Sequence, residues 1–169
     1  AIAFGLWLLK KGSGNIIVRA LAAISFIVAA ALVPLGGKMQ AQTAQVMNMG
    51  GDWEPFVASD FEKLMQGTEP LFVDMTAAWC ITCKVNENAV LNTAGITDLF
   101  HKRKVQTIRG DWTNQNPEIT AFLAKFGRNG VPIYVYYGPR SPATHERPEP
   151  VVLPQLLTAG IVENAVEGK

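Results

Sequence analysis

No third cysteine accompanies Cys80 and Cys83 in this chain of 169 residues. That scarcity excludes a framework of several disulfides and a four-cysteine zinc site, both of which need more thiols. Histidine is equally scarce. His101 and His145 are far from the cysteine pair and lack metal-ligand spacing, so they read as solvated loop or helix-end residues. Charge of one sign is missing too: 15 basic and 14 acidic side chains leave a net +1, and no nucleic-acid partner is expected. The sequence shows no nucleotide-binding glycine loop, internal repeat or low-complexity tract, and no cofactor or metal is expected. What is present is a hydrophobic content of 49%, unevenly spread and crowded into the first 35 positions.

Residues 16–35 (IIVRALAAISFIVAAALVPL) carry a single charge, Arg19, near one end. A helix of that length covers about 30 Å, the thickness of a bilayer core, and is read as a transmembrane helix. Residues 1–35 are then the end of a membrane domain, because the apolar run AIAFGLWLL before Lys10 and Lys11 is too short to span alone. Lys10, Lys11 and Arg19 precede or open the span, which places that end in the cytoplasm and the rest of the chain on the other side. A cleaved signal peptide is the competing reading, and it exports the domain as well. Residues 36–52 are polar and glycine-flanked, suiting a linker, and a folded domain is expected over 53–169.

Within that domain, residues 60–65 read as a short helix capped by Ser59 or Asp60. Residues 70–77 (PLFVDMTA) read as a buried strand, followed by a helix from about Cys80 through Leu91. A strand at 105–109 precedes a helix at 117–126 with Pro117 in its first turn and Gly127 as its stop. Strands at 133–137 and 150–153 and a closing helix at 154–165 complete the order αβαβαββα. Residues 138–150 form a long proline-rich surface loop. Such an order implies an α/β fold with a central mixed sheet flanked by helices, parallel early and hairpin-like late.

The chemistry lies at the junction of the first strand with its helix. Cys80-Ile81-Thr82-Cys83 puts the first thiol at a helix N-terminus, where unpaired N–H groups and the macrodipole favour the thiolate. Cys80 is then the attacking sulfur, and Cys83, one turn on, resolves the mixed disulfide. A structural disulfide or two inert thiols is the bland alternative. Asp74 lies inside LFVDM, where burial disfavours an ionised carboxylate without a partner, and is a candidate proton acceptor. Glu87 follows Cys83 by four residues and shares its helix face, unless it is a solvated helix carboxylate. Two carboxylates near the dithiol are expected to oppose the Cys80 thiolate and give a reducing poise.

Trp79-Cys80-Ile81-Thr82-Cys83-Lys84, Asp74 and Gly130-Val131-Pro132 together resemble the thioredoxin superfamily over about residues 53–169. The position of Glu87 and the preceding apolar span make the chain most similar to the C-terminal thioredoxin-like domain of the DsbD/ScsB transmembrane reductases. That resemblance implies a thioredoxin-like fold and a cis Val131–Pro132 peptide facing the cysteines. It also implies a partner-binding rim of Trp79, Val131 and Pro132. It further implies an electron donor in the membrane domain of the same longer protein and acceptors among periplasmic thioredoxin-like or other disulfide-bearing proteins. The location implied is the bacterial inner membrane, with this domain in the periplasm. The chain departs from the pattern at Ile133 after the proline, at Ile81-Thr82 between the cysteines and in its lengthened late loop. An oxidase or isomerase, or a metal-binding module using both thiolates, are the alternatives.

Overall fold

A computed structural model describes residues 52–168. The expectations for residues 1–51, including the transmembrane helix and most of the linker, lie outside the described residues. Among the described residues no helix is long and apolar enough to cross a membrane.

The elements run β1 (Glu54–Pro55), α1 (Ala58–Gln66), β2 (Leu71–Thr76), α2 (Ile81–Asn86) with a π turn (Glu87–Leu91), α3 (Ala94–Lys102) and β3 (Gln106–Asp111). They continue with α4 (Pro117–Lys125), β4 (Ile133–Tyr137), β5 (Val151–Leu153) and α5 (Ala159–Glu167). The five strands form one sheet in the order β1-β3-β2-β4-β5. β3 lies parallel to β1 and β2, whereas β4 is antiparallel to both β2 and β5. The mixed sheet, parallel early and antiparallel late, follows the expected connectivity.

β2 is buried along its whole length and is central, so its alternating side chains feed two cores. Leu71, Val73 and Met75 pack with Ile108, Ile133 and Val135 beneath Phe61 of α1 and Ile119, Phe122 and Leu123 of α4. Phe72 on the opposite face joins Tyr134, Leu91, Ile96, Phe100 and Val162, beneath the π turn, α3 and α5. Asp74 occupies this second face too, in register with Arg109 on β3 and Tyr134 on β4. Strand alternation therefore aims the one acid of β2 at the layer that contains the dithiol helix.

Several boundaries differ from expectation for identifiable reasons. The helix expected at 60–65 begins at Ala58, and neither Ser59 nor Asp60 caps it; Val57 is the N-cap, without a side-chain bond. The exposed Ala58 N–H instead donates to Glu118 Oε2 on α4 at 3.0 Å. The helix expected through Leu91 widens at Glu87, where Asn92 N–H reaches back five residues to the Glu87 carbonyl at 2.8 Å. α3 and the two-residue β1 were not anticipated. The last helix starts at Ala159, five residues after Pro154, because Thr158 caps it by accepting from Ile161 N–H. α4 keeps its two expected signals, Pro117 opening the helix and Gly127 with a positive φ just beyond it, and adds an N-cap that was not anticipated, Asn116, whose side chain accepts from Glu118 N–H.

The loop between β4 and β5 is held and not loose. Arg147 donates to the carbonyls of Gly67 at 2.8 Å and Glu69 at 3.0 Å, and also to the Gly138 carbonyl. Arg140 adds a bond to the Gln66 carbonyl at 2.7 Å. The loop thus supplies donors and positive charge to the C-terminal end of α1, where helix carbonyls are unpaired.

Candidate active site

Between the end of β2 and the start of α2 the chain makes a turn, with Cys80 N–H donating to the Ala77 carbonyl at 3.0 Å. Cys80 is the N-cap of α2, and its Sγ accepts from Cys83 N–H at 3.2 Å, the bond that a serine or aspartate oxygen commonly makes. The two cysteines are joined as a disulfide with their Cα atoms 5.3 Å apart. Both pack with Ala77 and Val131 in a small apolar cluster, Cys83 fully enclosed and Cys80 slightly exposed. Around them Trp79 is 56% exposed and Ile81 80% exposed, an apolar rim in contact with water. The Val131–Pro132 peptide is cis, which brings Val131 against the cysteines.

Beneath this surface lie two carboxylates, each with its own cation. Asp74 is completely buried and accepts from Arg109 Nε at 2.7 Å; its second oxygen, Oδ1, has no hydrogen-bond partner among the described residues. Arg109 is itself buried, and its guanidinium lies 4.0 Å over the Trp53 ring, a cation–π contact. Burial pushes Asp74 up to about 6, although the charge and hydrogen bond of Arg109 pull it down. Glu87 is buried as well, which rules out the solvated reading. Its Oε1 accepts from the Thr76 hydroxyl at 2.6 Å and its Oε2 from Lys84 Nζ at 2.9 Å. Between them Asn86 donates to Tyr134 Oη at 2.9 Å and to the Gln155 carbonyl at 2.7 Å, and accepts from Leu157 N–H at 3.1 Å. Burial holds the Tyr134 hydroxyl well above its ordinary range, so it stays protonated.

Residues 52–139, which contain the dithiol turn, the cis-proline and the buried strand acid, match the Thioredoxin-like family. The chain belongs to that family. Over 111 residues it is 25% identical to the thiol:disulfide interchange protein DsbD 1 of Pseudomonas aeruginosa, covering 63% of this chain and 18% of that protein. The chain therefore spans about a fifth of the length of this curated relative. Among solved structures, the reduced DsbD C-terminal domain of Neisseria meningitidis aligns with a TM-score of 0.51 and 20% identity. It covers 69% of this chain and all of that one. A thioredoxin from Thermus thermophilus aligns with a TM-score of 0.55 and 15% identity, over 69% and 86% of the two chains. The thioredoxin-like α/β fold, with the helices on a mixed sheet, is thus shared with proteins of distant sequence. The chemistry of this thioredoxin-like domain is that of a thiol:disulfide oxidoreductase.

All seven residues singled out in the sequence gather at one end of the thioredoxin-like sheet or directly behind it. Cys80, Cys83 and Val131 are in mutual contact, Trp79 and Pro132 adjoin them in the chain, and Asp74 and Glu87 lie in the layer below. Sequence reasoning missed the cations. Two carboxylates without partners would present two negative charges to the dithiol, but Arg109 and Lys84 offset both, which weakens the expected opposition to a thiolate. Arg109 had one visible signal, a charge ending the apolar strand VQTIR. Lys84 had another, since it precedes Glu87 by three residues on a helix. Asn86 carried no such signal. Among the described residues no group of three or more His, Cys, Asp and Glu converges to hold a metal ion.

Proposed function

We propose that this chain is the outward-facing part of a membrane-tethered thiol:disulfide reductase. It takes electrons from the membrane domain of the same longer protein and passes them through Cys80 and Cys83 to disulfide-bearing proteins of the periplasm. The arrangement that carries this reading is Cys80 capping α2 and bonded to Cys83, with the cis Val131–Pro132 peptide beside it. The apolar span at 16–35, with Lys10, Lys11 and Arg19 at its cytoplasmic end, supports the tether and a bacterial inner-membrane location. The likeness to part of a thiol:disulfide interchange protein supports the donor and the acceptors.

In the reduced domain the Cys80 thiolate attacks one sulfur of a partner disulfide. That S–S bond breaks, a mixed disulfide forms and the other partner sulfur leaves as a thiolate. Cys83 then gives up its proton and attacks Cys80 Sγ, forming the Cys80–Cys83 disulfide and releasing the partner with both its sulfurs reduced. Two electrons pass to the partner, whose released thiolates take their protons from water. Asp74 accepts the Cys83 proton: its value of about 6 leaves it a carboxylate at neutral pH, and Oδ1 is free to receive. Glu87 and Asp74 withhold stabilisation from the thiolate, tempered by Lys84 and Arg109. Trp79, Val131 and Pro132 form the rim against which an extended partner segment lies.

The test is the reduction potential of the whole chain equilibrated with glutathione, together with trapping by Cys83→Ser. A potential near that of thioredoxin, about −270 mV, and a mixed disulfide on Cys80 with a periplasmic protein are expected. A potential near about −120 mV would replace the reductase with an oxidase, the reading that the paired cations favour.

A further inference from the structure

The short loop after β3 is hydrogen-bonded to the dithiol turn through Thr113. Its hydroxyl oxygen accepts from Ala78 N–H at 2.8 Å, and its carbonyl accepts from the Trp79 indole Nε1 at 3.2 Å. Asp111 holds Thr113 in place: Oδ1 accepts from the Thr113 N–H at 2.9 Å and from its hydroxyl. Asp111 ends β3 beside Thr76, and Trp112 N–H donates to the Thr76 carbonyl at 2.8 Å, so the loop is anchored to the end of β2. Trp112 is in turn tied to α4 through Thr120 Oγ1 at 2.8 Å and has its ring 6.1 Å from that of Trp79.

Ala78 and Trp79 are exposed, whereas Ala77 and Cys80 on either side are buried. Packing therefore fixes the two ends of the turn and leaves its middle free, unless a hydrogen bond holds it. From these contacts we propose that Thr113, oriented by Asp111, is a positioning residue for the dithiol. It fixes the Ala78–Trp79 segment, so that Cys80 Sγ stays on the N-terminus of α2 and the Trp79 ring stays at the rim.

Thr113 touches neither sulfur and acts through the turn. Losing its bond at a solvent-exposed amide costs little stability, because water replaces the acceptor. The loss falls on orientation: Cys80 Sγ no longer meets the Cys83 N–H and the helix terminus in one fixed geometry, so the thiolate is less favoured and attack is slower. Asp111 contributes by aiming the hydroxyl hydrogen at itself, which leaves the oxygen lone pairs toward Ala78 N–H.

This proposal rests on Cys80 being the attacking thiol, and the experiment separates the two. The whole reduced chain is alkylated with iodoacetamide across a pH series, as wild type, Thr113→Val, Thr113→Ser and Asp111→Ala, with each cysteine followed by mass. Thr113→Val is expected to slow Cys80 about three- to tenfold at neutral pH and to move its profile to higher pH. Thr113→Ser keeps the hydroxyl and should return within about twofold of wild type. Asp111→Ala, at an exposed position, should slow Cys80 in the same direction, and it carries the test alone if valine at 113 prevents folding. Fast wild-type Cys80 with unchanged rates in Thr113→Val and Asp111→Ala overturns the positioning role while leaving the reductase reading standing. Equal slowing by Thr113→Ser overturns it as well. A wild type that alkylates first at Cys83 overturns both.

Discussion

Replacing Asp74 by asparagine should change how stability depends on pH, in a direction and by an amount that follow from its burial. In the native domain Asp74 is held at about 6, against an ordinary 3.8, because no water reaches it and only one of its oxygens has a partner. Between those two values the native state binds more protons than the unfolded chain, so wild type loses stability as pH rises from about 4 to about 6. The difference of about two pH units, at about 1.4 kcal/mol each, amounts to about 3 kcal/mol. Asparagine does not titrate, so the stability of Asp74→Asn relative to wild type should climb by about 3 kcal/mol over that interval and level off above it. The variant also replaces the carboxylate that accepts from Arg109 Nε with a neutral amide, a cost that offsets the whole curve without tilting it. Urea unfolding of both oxidised proteins at a series of pH values from about 4 to about 8 gives the difference directly. A flat difference would mean that the pull of Arg109 cancels burial, and one that falls with pH that it outweighs burial. Asp74 would then be ionised throughout and poorly matched to accept a proton.

Gly110→Ala should destabilise the domain by about 1 to 3 kcal/mol in the same assay. A methyl group there meets Ile119 Cδ1 at 3.1 Å, Phe56 Cβ at 3.3 Å and the Met75 sulfur more closely still, and an unchanged midpoint would show that these neighbours yield. Asn86→Leu strips partners from Tyr134 Oη, the Gln155 carbonyl and Leu157 N–H, and should cost about 2 to 4 kcal/mol with a clear fall in thermal midpoint. Arg147→Ala removes donors from the carbonyls of Gly67, Glu69 and Gly138 and should cost about 1 to 3 kcal/mol. It should also speed proteolysis within residues 138–150, and unchanged cleavage there would argue that the loop is held by other contacts.

The parts of this molecule that were legible in its sequence are those written in short stretches of chain. The dithiol, the strand before it and the helix after it occupy one run from Leu71 to Asn86, and Pro117 and Gly127 bracket α4 with local start and stop chemistry. What escaped depends on neighbours remote in sequence. α3 opens with Ala94-Gly95, a weak start, and is helical because Ile96 and Phe100, four apart, fill the core beneath it. The start of α1 is satisfied by Glu118, 60 residues away, in place of a residue of its own. The Asp74–Arg109 pair arises from the register of two parallel strands, which no local pattern encodes. Pro154 resembles a helix start, yet Asn86 pins the backbone of Gln155 and Leu157 in a non-helical path and postpones α5 to Thr158.

The two ion pairs behind the cysteines differ in their access to solvent, and that makes ionic strength a selective instrument. Lys84 is 40% exposed against 9% for Glu87, while Arg109 and Asp74 stand at 4% and 0%. Dissolved salt screens the first pair and scarcely reaches the second. Raising it therefore loosens the hold of Lys84 on Glu87 and leaves the Asp74–Arg109 unit as it was. A drift of the dithiol potential with salt would therefore report on the Lys84–Glu87 pair and not on the buried Asp74–Arg109 pair, in one unmodified protein.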